Sequence, residues 1–280
     1  MSGISSNVKL VSKNLSSYNT LSFDKFNTLY KDKYNSTLDP NWLGWFVGFA
    51  EGDGYLGINE GKPVFVLTQK ESKILYEIMD ILKFGYVKEF DGFYRYIVRE
   101  QSSVFLLFHL FNGNLHLIPR IEQLKEWSTQ WNSKVNNKYN QLKPITNSFK
   151  LSLDNSWFSG FVDAEGCFNV YVAKNNKDVL LRFIVDQKEG DLFFNDLKNL
   201  LSYGSIYNRK NRNFRYTVTN LNSLSVMINY FNKFILRTKK QLAFGKWVII
   251  YNCVLNKEHK SPEGLEKIKV LSKMINKDND

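Results

Sequence analysis

One stretch of this chain occurs twice, and the repetition limits the fold to something built from two like halves. Residues 45–55 read Trp-Phe-Val-Gly-Phe-Ala-Glu-Gly-Asp-Gly-Tyr, and residues 157–167 read Trp-Phe-Ser-Gly-Phe-Val-Asp-Ala-Glu-Gly-Cys. Each copy is an apolar run with a small residue at every fourth position, ending in a carboxylate followed by glycine. The likeness continues downstream. Phe65-Val-Leu-Thr-Gln-Lys-Glu71 matches Phe183-Ile-Val-Asp-Gln-Lys-Glu189, Arg95-Tyr-Ile-Val matches Arg215-Tyr-Thr-Val, and Trp127 matches Trp247. Asp53 and Glu165 are 112 positions apart, Gln69 and Gln187 118, and the two tryptophans 120. The second copy therefore gains about six residues soon after its motif, an extra turn placed within 169–178, and then keeps register.

Each half reads as helix, two strands, helix, two strands, helix. The motif helix starts at Asp39-Pro40 in the first copy and at Asp154 in the second, since Asp caps helices well and Pro suits the first turn. It ends at Gly54 or Gly166, read as C-cap glycines. Ser72–Leu82 and Asp191–Leu201 carry helical periodicity and close at Gly85 and Gly204, and hairpins turn at Asp91-Gly92 and Asn211–Asn213. Residues 103–111 and 223–234 are helical, and a further helix surrounds each tryptophan. Ser261 caps an amphipathic helix with Leu265, Ile268, Leu271 and Ile275 on one face. The resulting organisation is an N-terminal extension (1–38), a first half (39–132), a polar Asn/Lys-rich linker (133–153) and a second half with a C-terminal helix (154–280). The Ser/Asn-rich extension is expected to be partly disordered or to wrap the surface.

The 280 residues carry 38 Lys and Arg against 27 Asp and Glu, a net charge of +11 that points to a polyanionic partner, nucleic acid first. Two cysteines exclude a disulfide framework, and with three histidines they leave no zinc cluster. Any metal must be held mainly by oxygen. No run of about 20 apolar residues suggests a membrane span. The N-terminus resembles neither a secretory signal nor an Arg-rich import peptide. Richness in Asn, Lys, Phe, Tyr and Ile suggests an AT-rich, organellar genome.

Gly48 and Gly52 share one helix face, as do Gly160 and Ala164. Small residues there let the two motif helices pack closely about a pseudo-two-fold axis, bringing Asp53 and Glu165 together at the bottom. Two like charges at two helix C-termini are unfavourable, by about 0.3–1 kcal/mol each from the dipole alone. Mg²⁺, a hard cation that prefers oxygen, removes the conflict and suggests metal-assisted phosphodiester hydrolysis. Glu51 and Asp163 are expected to satisfy backbone donors rather than to hold metal.

Phe46-Val-Gly-Phe-Ala-Glu-Gly-Asp-Gly54 and Phe158-Ser-Gly-Phe-Val-Asp-Ala-Glu-Gly166 resemble the two signature motifs of a single-chain LAGLIDADG homing endonuclease, over residues 40 to 275. The resemblance implies that Asp53 and Glu165 are metal ligands, aided by the carbonyls of Gly52 and Ala164. It implies that Gln69 and Gln187 orient solvent near the scissile phosphate, and that Lys240, or Lys239 beside it, steadies the transition state. Arg120 holds the equivalent place in the first half. The expected fold class is α/β (α+β), with two pseudo-symmetric αββαββα halves and antiparallel sheets forming a DNA-binding saddle.

Strand alternation nominates an open, polar sheet face suited to the major groove. Its candidates are Asn59, Lys88 and Arg95 in the first half, and Asn169, Tyr171, Arg182, Tyr207, Arg209 and Arg215 in the second. Lys210 and Arg212 at a hairpin tip are expected to touch phosphates. Unequal halves in one chain imply a monomer that reads a long asymmetric duplex, needs no protein partner and promotes mobility of its own intron in a mitochondrion. Two rival functions use the same fold: an RNA-splicing maturase, and a DNA-binding regulator that has lost catalysis.

Overall fold

A computed structural model describes residues 19–134, 141–173 and 178–279. Much of the expected extra turn in 169–178 lies outside these residues. The first half runs α2 (Pro40–Asp53), β1 (Gly54–Asn59), β2 (Lys62–Gln69), α3 (Lys73–Leu82), β3 (Tyr86–Phe90), β4 (Phe93–Val98), α4 (Gln101–Phe111) and α5 (Ile118–Asn132). The second repeats it as α6 (Trp157–Glu165), β5 (Gly166–Val172), β6 (Val179–Lys188), α7 (Asp191–Leu201), β7 (Ser205–Asn208), β8 (Asn213–Val218), α8 (Leu221–Lys233) and α9 (Lys240–Leu255). Two helices lie outside the repeat, α1 (Asp24–Tyr34) and α10 (Pro262–Asn279). Both sheets are antiparallel, four-stranded and alike in order, β1-β2-β4-β3 and β5-β6-β8-β7. The α/β class and the two-half plan are those expected, and each half closes with the expected further helix around its tryptophan, α5 and α9.

Alternation gives each sheet one core face and one open face. Phe65, Leu67, Tyr96 and Val98 are buried on the first, and Phe168, Phe183, Val185 and Tyr216 on the second. Both aromatic layers wrap the motif helices, with Phe46 near Phe65 and Phe158 near Phe183.

The motif helices cross at the centre. A Cβ on Gly48 would lie 1.9 Å from the Trp157 carbonyl oxygen, and one on Gly160 would lie 1.8 Å from the Trp45 carbonyl oxygen. Each glycine thus rests on the backbone of the opposite helix, and the two contacts are related by the 112-residue offset of the repeat. No side chain fits there without forcing the helices apart.

Several local expectations change. Asp39 does cap α2, accepting from the amides of Asn41 and Trp42 at 3.2 Å. Asp154 does not cap α6, which begins at Trp157; its carboxylate takes the Ser152 hydroxyl, and Asn155 Oδ1 accepts from the Trp157 amide. Gly54 and Gly166 are not left-handed C-caps. Both are extended, with φ of −80° and −83°, and open the next strand. Glycine is needed because a Cβ would lie 2.4 Å from the Ala50 carbonyl oxygen in one case and from Val162 Cγ1 in the other. Helices α3 and α7 close at Lys83 and Ser202, which take the left-handed cap, two residues before Gly85 and Gly204.

Residues 19–38 do more than wrap the surface. Phe26 and Tyr30 on α1 are fully buried, and Asn114 takes the Ser22 amide at 2.9 Å and donates to its carbonyl at 2.6 Å. The polar connection is anchored as well. Leu142, Phe149 and Leu151 enter the core, and Phe149 bridges to Asn19. Ser261 Oγ accepts from the Gly264 amide at 3.0 Å and caps α10, which buries Ile268 and Ile275.

Candidate active site and nucleic-acid interface

The carboxylates nearest the helix crossing hold the crossing in register. Glu51 is fully buried and accepts from the amides of His116 (2.8 Å) and Leu117 (2.6 Å) and from the indole of Trp157 on the other motif helix (2.8 Å). Asp163 mirrors it, accepting from the Arg237 amide (2.7 Å), the Thr238 hydroxyl and the indole of Trp45 (2.8 Å). Each motif helix therefore sends a tryptophan to the other's buried acid. Burial pushes Glu51 up to about 7, against three donors that favour the charged form. These residues satisfy donors, as expected.

Asp53 and Glu165 are the last residues of α2 and α6. A Cβ on Gly52 would lie 2.3 Å from Ala164 Cβ and 3.2 Å from Glu165 Cγ, so the helix ends touch. Burial and the neighbouring Asp53 charge raise Glu165 to about 7, opposed by Lys240 and Arg120. Asp53 is raised by burial and relieved by its hydrogen bond from Gln69 Nε2 at 2.6 Å.

Two clefts open on either side of this pair. One is lined by Asp53, Gln69, Ala164 and Lys240. The other is lined by Glu165, Gln187, Gly52 and Arg120. Each combines the acid of one helix with the penultimate residue of the other, a cation and a glutamine. Lys240 Nζ donates to the carbonyls of Ala164 (2.6 Å) and Val162 (3.2 Å). Arg120 donates to those of Gly52 (2.9 Å) and Glu51 (2.8 Å). The carbonyls nominated beside the acids thus already carry one cationic donor each. Lys239 lines the same cleft as Lys240, with its ammonium 3.7 Å from Glu71, which also lines it.

The glutamines break the symmetry. Gln69 holds Asp53, whereas Gln187 donates to the neighbouring Lys188 carbonyl at 3.3 Å and its buried Oε1 has no partner. Gln187 lines the cleft of Glu165 without a hydrogen bond to it among the described residues.

Eight of the nine residues nominated for DNA lie on the open sheet faces, and Arg209 lies just beyond β7. Asn59 pairs with Lys62 at the end of β1, and Lys88, Arg95 and Thr68 lie abreast across β3, β4 and β2. Arg95 lies over the rings of Phe90 (4.9 Å) and Phe93 (5.0 Å). In the second sheet Asn169 faces Arg182 and accepts from its Nε at 2.9 Å, while Arg182 also lies over Tyr171. Tyr171 and Tyr207 are about half exposed, at 49% and 54%. Arg209 follows Tyr207 beyond β7 and lines the Glu165 cleft. Arg212 at the hairpin tip pairs with Glu189 at 3.4 Å.

One functional candidate was missed. Asp186 faces Arg215 across β6 and β8 and accepts from its Nε (2.7 Å) and Nη2 (2.6 Å). The alternation that nominated Arg182 places Asp186 on the same face, four residues along.

A family model described as "LAGLIDADG endonuclease" matches residues 158–251. The chain is 38% identical over 243 residues to a "Probable intron-encoded endonuclease 4" of Neurospora crassa, covering 83% of this chain and 44% of that protein. It is 29% identical over 192 residues to the "Intron-encoded RNA maturase bI4" of Saccharomyces cerevisiae, covering 62% of this chain and 28% of that protein. The chain therefore spans less than half the length of either relative. Among solved structures, the LAGLIDADG meganuclease I-AabMI bound to uncleaved DNA superposes with a TM-score of 0.70 at 21% identity, over 84% of this chain and 98% of that one. Among the described residues no helix is long and apolar enough to cross a membrane.

Proposed function

We propose that the chain is a member of the LAGLIDADG endonuclease family and acts as a monomeric, site-specific double-strand DNA endonuclease at a long asymmetric target. One observation carries this reading: the two clefts repeat acid, carbonyl, cation and glutamine on either side of the helix crossing. Two sets of cutting groups in one chain suit a duplex with two strands.

The donor set fits a hard divalent cation. Asp53 and Glu165 with the carbonyls of Gly52 and Ala164 offer only oxygen, and both acids are raised by burial, against the nearby charges of Lys240 and Arg120. These four groups would hold Mg²⁺, which supplies an activated water and neutralises charge at the phosphate. The chain's own residues do the remaining work. Gln69 fixes the Asp53 carboxylate through its amide. Lys240 and Arg120, tied to main-chain carbonyls, keep positive charge at the base of each cleft where a scissile phosphate would sit. The open sheet faces carry the reading residues into the major groove, one sheet per half-site.

Intron-encoded relatives and the Asn/Lys/Ile-rich composition support an origin in an organellar intron, with a mitochondrial site of action. The maturase likeness favours a second reading, assistance in RNA splicing on the same fold. In vitro selection of cleaved sites from a randomised duplex library with Mg²⁺ separates the two. Wild type is expected to yield one long asymmetric consensus, and Glu165→Gln to bind that site without completing the double-strand break. Full cleavage by Glu165→Gln would refute the ligand assignment, and no cleavage of any duplex by wild type would refute the endonuclease reading.

A further inference from the structure

Both halves carry an arginine at the same place on the open sheet face, but among the described residues only Arg215 is gripped by a carboxylate. Arg95 and Arg215 are 120 positions apart and lie on β4 and β8. Each lies between two residues of the flanking strands, Lys88 and Thr68 in the first half and Tyr207 and Asp186 in the second. Asp186 takes both the Nε and the Nη2 hydrogens of Arg215, at 2.7 and 2.6 Å. Its Oδ1 also lies 3.8 Å from Arg209 Nη1. Both partners of the main pair are partly exposed, at 33% and 42%, so the pair faces the solvent that DNA would displace.

From this asymmetry we infer that Asp186 is a positioning residue for base recognition: it holds Arg215 so that one fixed edge of the guanidinium meets a guanine in the half-site read by the second sheet. The inference rests on the DNA-endonuclease reading. An arginine carries five N–H donors; Asp186 consumes two on the Nε side, leaving Nη1 and the remaining Nη2 hydrogen. Those donors form the end-on edge that fits O6 and N7 of guanine. A carboxylate at this place also disfavours a phosphate, so the same contact turns a potential backbone anchor into a base reader. Arg95, with no such partner among the described residues, is steadied by the faces of Phe90 and Phe93 and can contact phosphate or several bases.

The test is selection of bound duplexes, not cut ones, from a randomised library in chelator, comparing wild type, Asp186→Asn and Arg215→Ala. Wild type should show one second-half position dominated by guanine. Asp186→Asn should lose about tenfold of that preference while other positions keep theirs. It should also bind random duplex more tightly, with a log–log salt slope steeper by about one. Arg215→Ala should erase the same position without the gain in random binding. A base profile of Asp186→Asn that overlays wild type would overturn the inference, as would a loss spread evenly over all positions. If wild type enriches no duplex at all, the DNA reading itself falls. If it enriches one and Asp186→Asn enriches it identically, only the positioning role does.

Discussion

The crossing of the motif helices sets a severe test of the packing argument. Gly48→Ala would place a Cβ 1.9 Å from the Trp157 carbonyl oxygen, and carbon in proteins does not approach closer than 3.0 Å. The opposing atom is backbone inside a helix, so no rotamer change relieves the overlap. The helices must part by about 1 Å. Overpacking in a well-filled core costs about 1–3 kcal/mol, and a backbone clash belongs at the upper end or beyond. At about 2 °C per kcal/mol for a chain of this size, melting should fall by about 6 °C or more. The same displacement separates the helix ends that carry Asp53 and Glu165. A misplacement of about 1 Å costs on the order of 100-fold in rate, so cleavage should fall far more than DNA binding. Gly160→Ala should behave alike, because its Cβ would meet the Trp45 carbonyl oxygen at 1.8 Å. Gly245→Ala is the matched control: it lies within α9, nothing stands within 4 Å of its Cβ, and the change should stabilise by about 0.5–1 kcal/mol. Calorimetric melts and single-turnover cleavage of the three variants check the whole chain of reasoning. A Gly48→Ala protein that melts within a degree of wild type and cuts normally would refute it.

Three further outcomes follow from the site. Glu165 has a folded-state value near 7 against an ordinary 4.5, so the folded protein keeps a proton that the unfolded chain sheds between those values. In chelator, stability should therefore fall as pH rises from 4.5 to 7, with Glu165 accounting for about 3 kcal/mol at most. Glu165→Gln should remove that share, so denaturant melts at pH 5 and pH 8 should show the variant gaining on wild type at the higher pH; an equal difference at both would contradict the assignment. Trp157→Phe deletes the indole donor to buried Glu51 and should cost about 2 kcal/mol, measured as a shift in urea midpoint at constant slope. Binding to duplex DNA should weaken steeply with salt, given the net charge of +11; a salt-independent affinity would count against phosphate contacts on the sheet faces.

The fold was legible wherever chemistry repeats. Gly48 and Gly160 stand out because only a close backbone approach explains a small residue at the same place twice. Asp39 before Pro40 fixed a helix start. The open-face residues followed from strand alternation. What the sequence hid depends on neighbours far along the chain. Phe26, Tyr30 and Tyr34 recur every fourth residue, the mark of α1, but a polar Ser/Asn-rich setting masked them. Asp154 looked like a cap because Asp39 is one in the first half, yet Asn155 and Ser156 intervene and supply their own hydrogen bonds. Gly54 and Gly166 looked like left-handed stops because the motif ends there, whereas their role is to clear the preceding turn. The unequal poses of Gln69 and Gln187 are side-chain choices that no spacing encodes.

The anchoring of residues 19–34 and 141–151 bears on any attempt to recombine this protein with another of its kind. The ribbon between the halves is not a passive leash: Phe149 is fully buried, pairs with Asn19 and accepts a contact from His116, whose other ring nitrogen lies 3.4 Å from Asp196 on α7. A chimera that exchanged the second half at residue 154 would leave that seam facing a foreign surface. Swaps that carry both anchoring segments with the first half, and keep the α7 face that His116 meets, should be the ones that yield soluble hybrids.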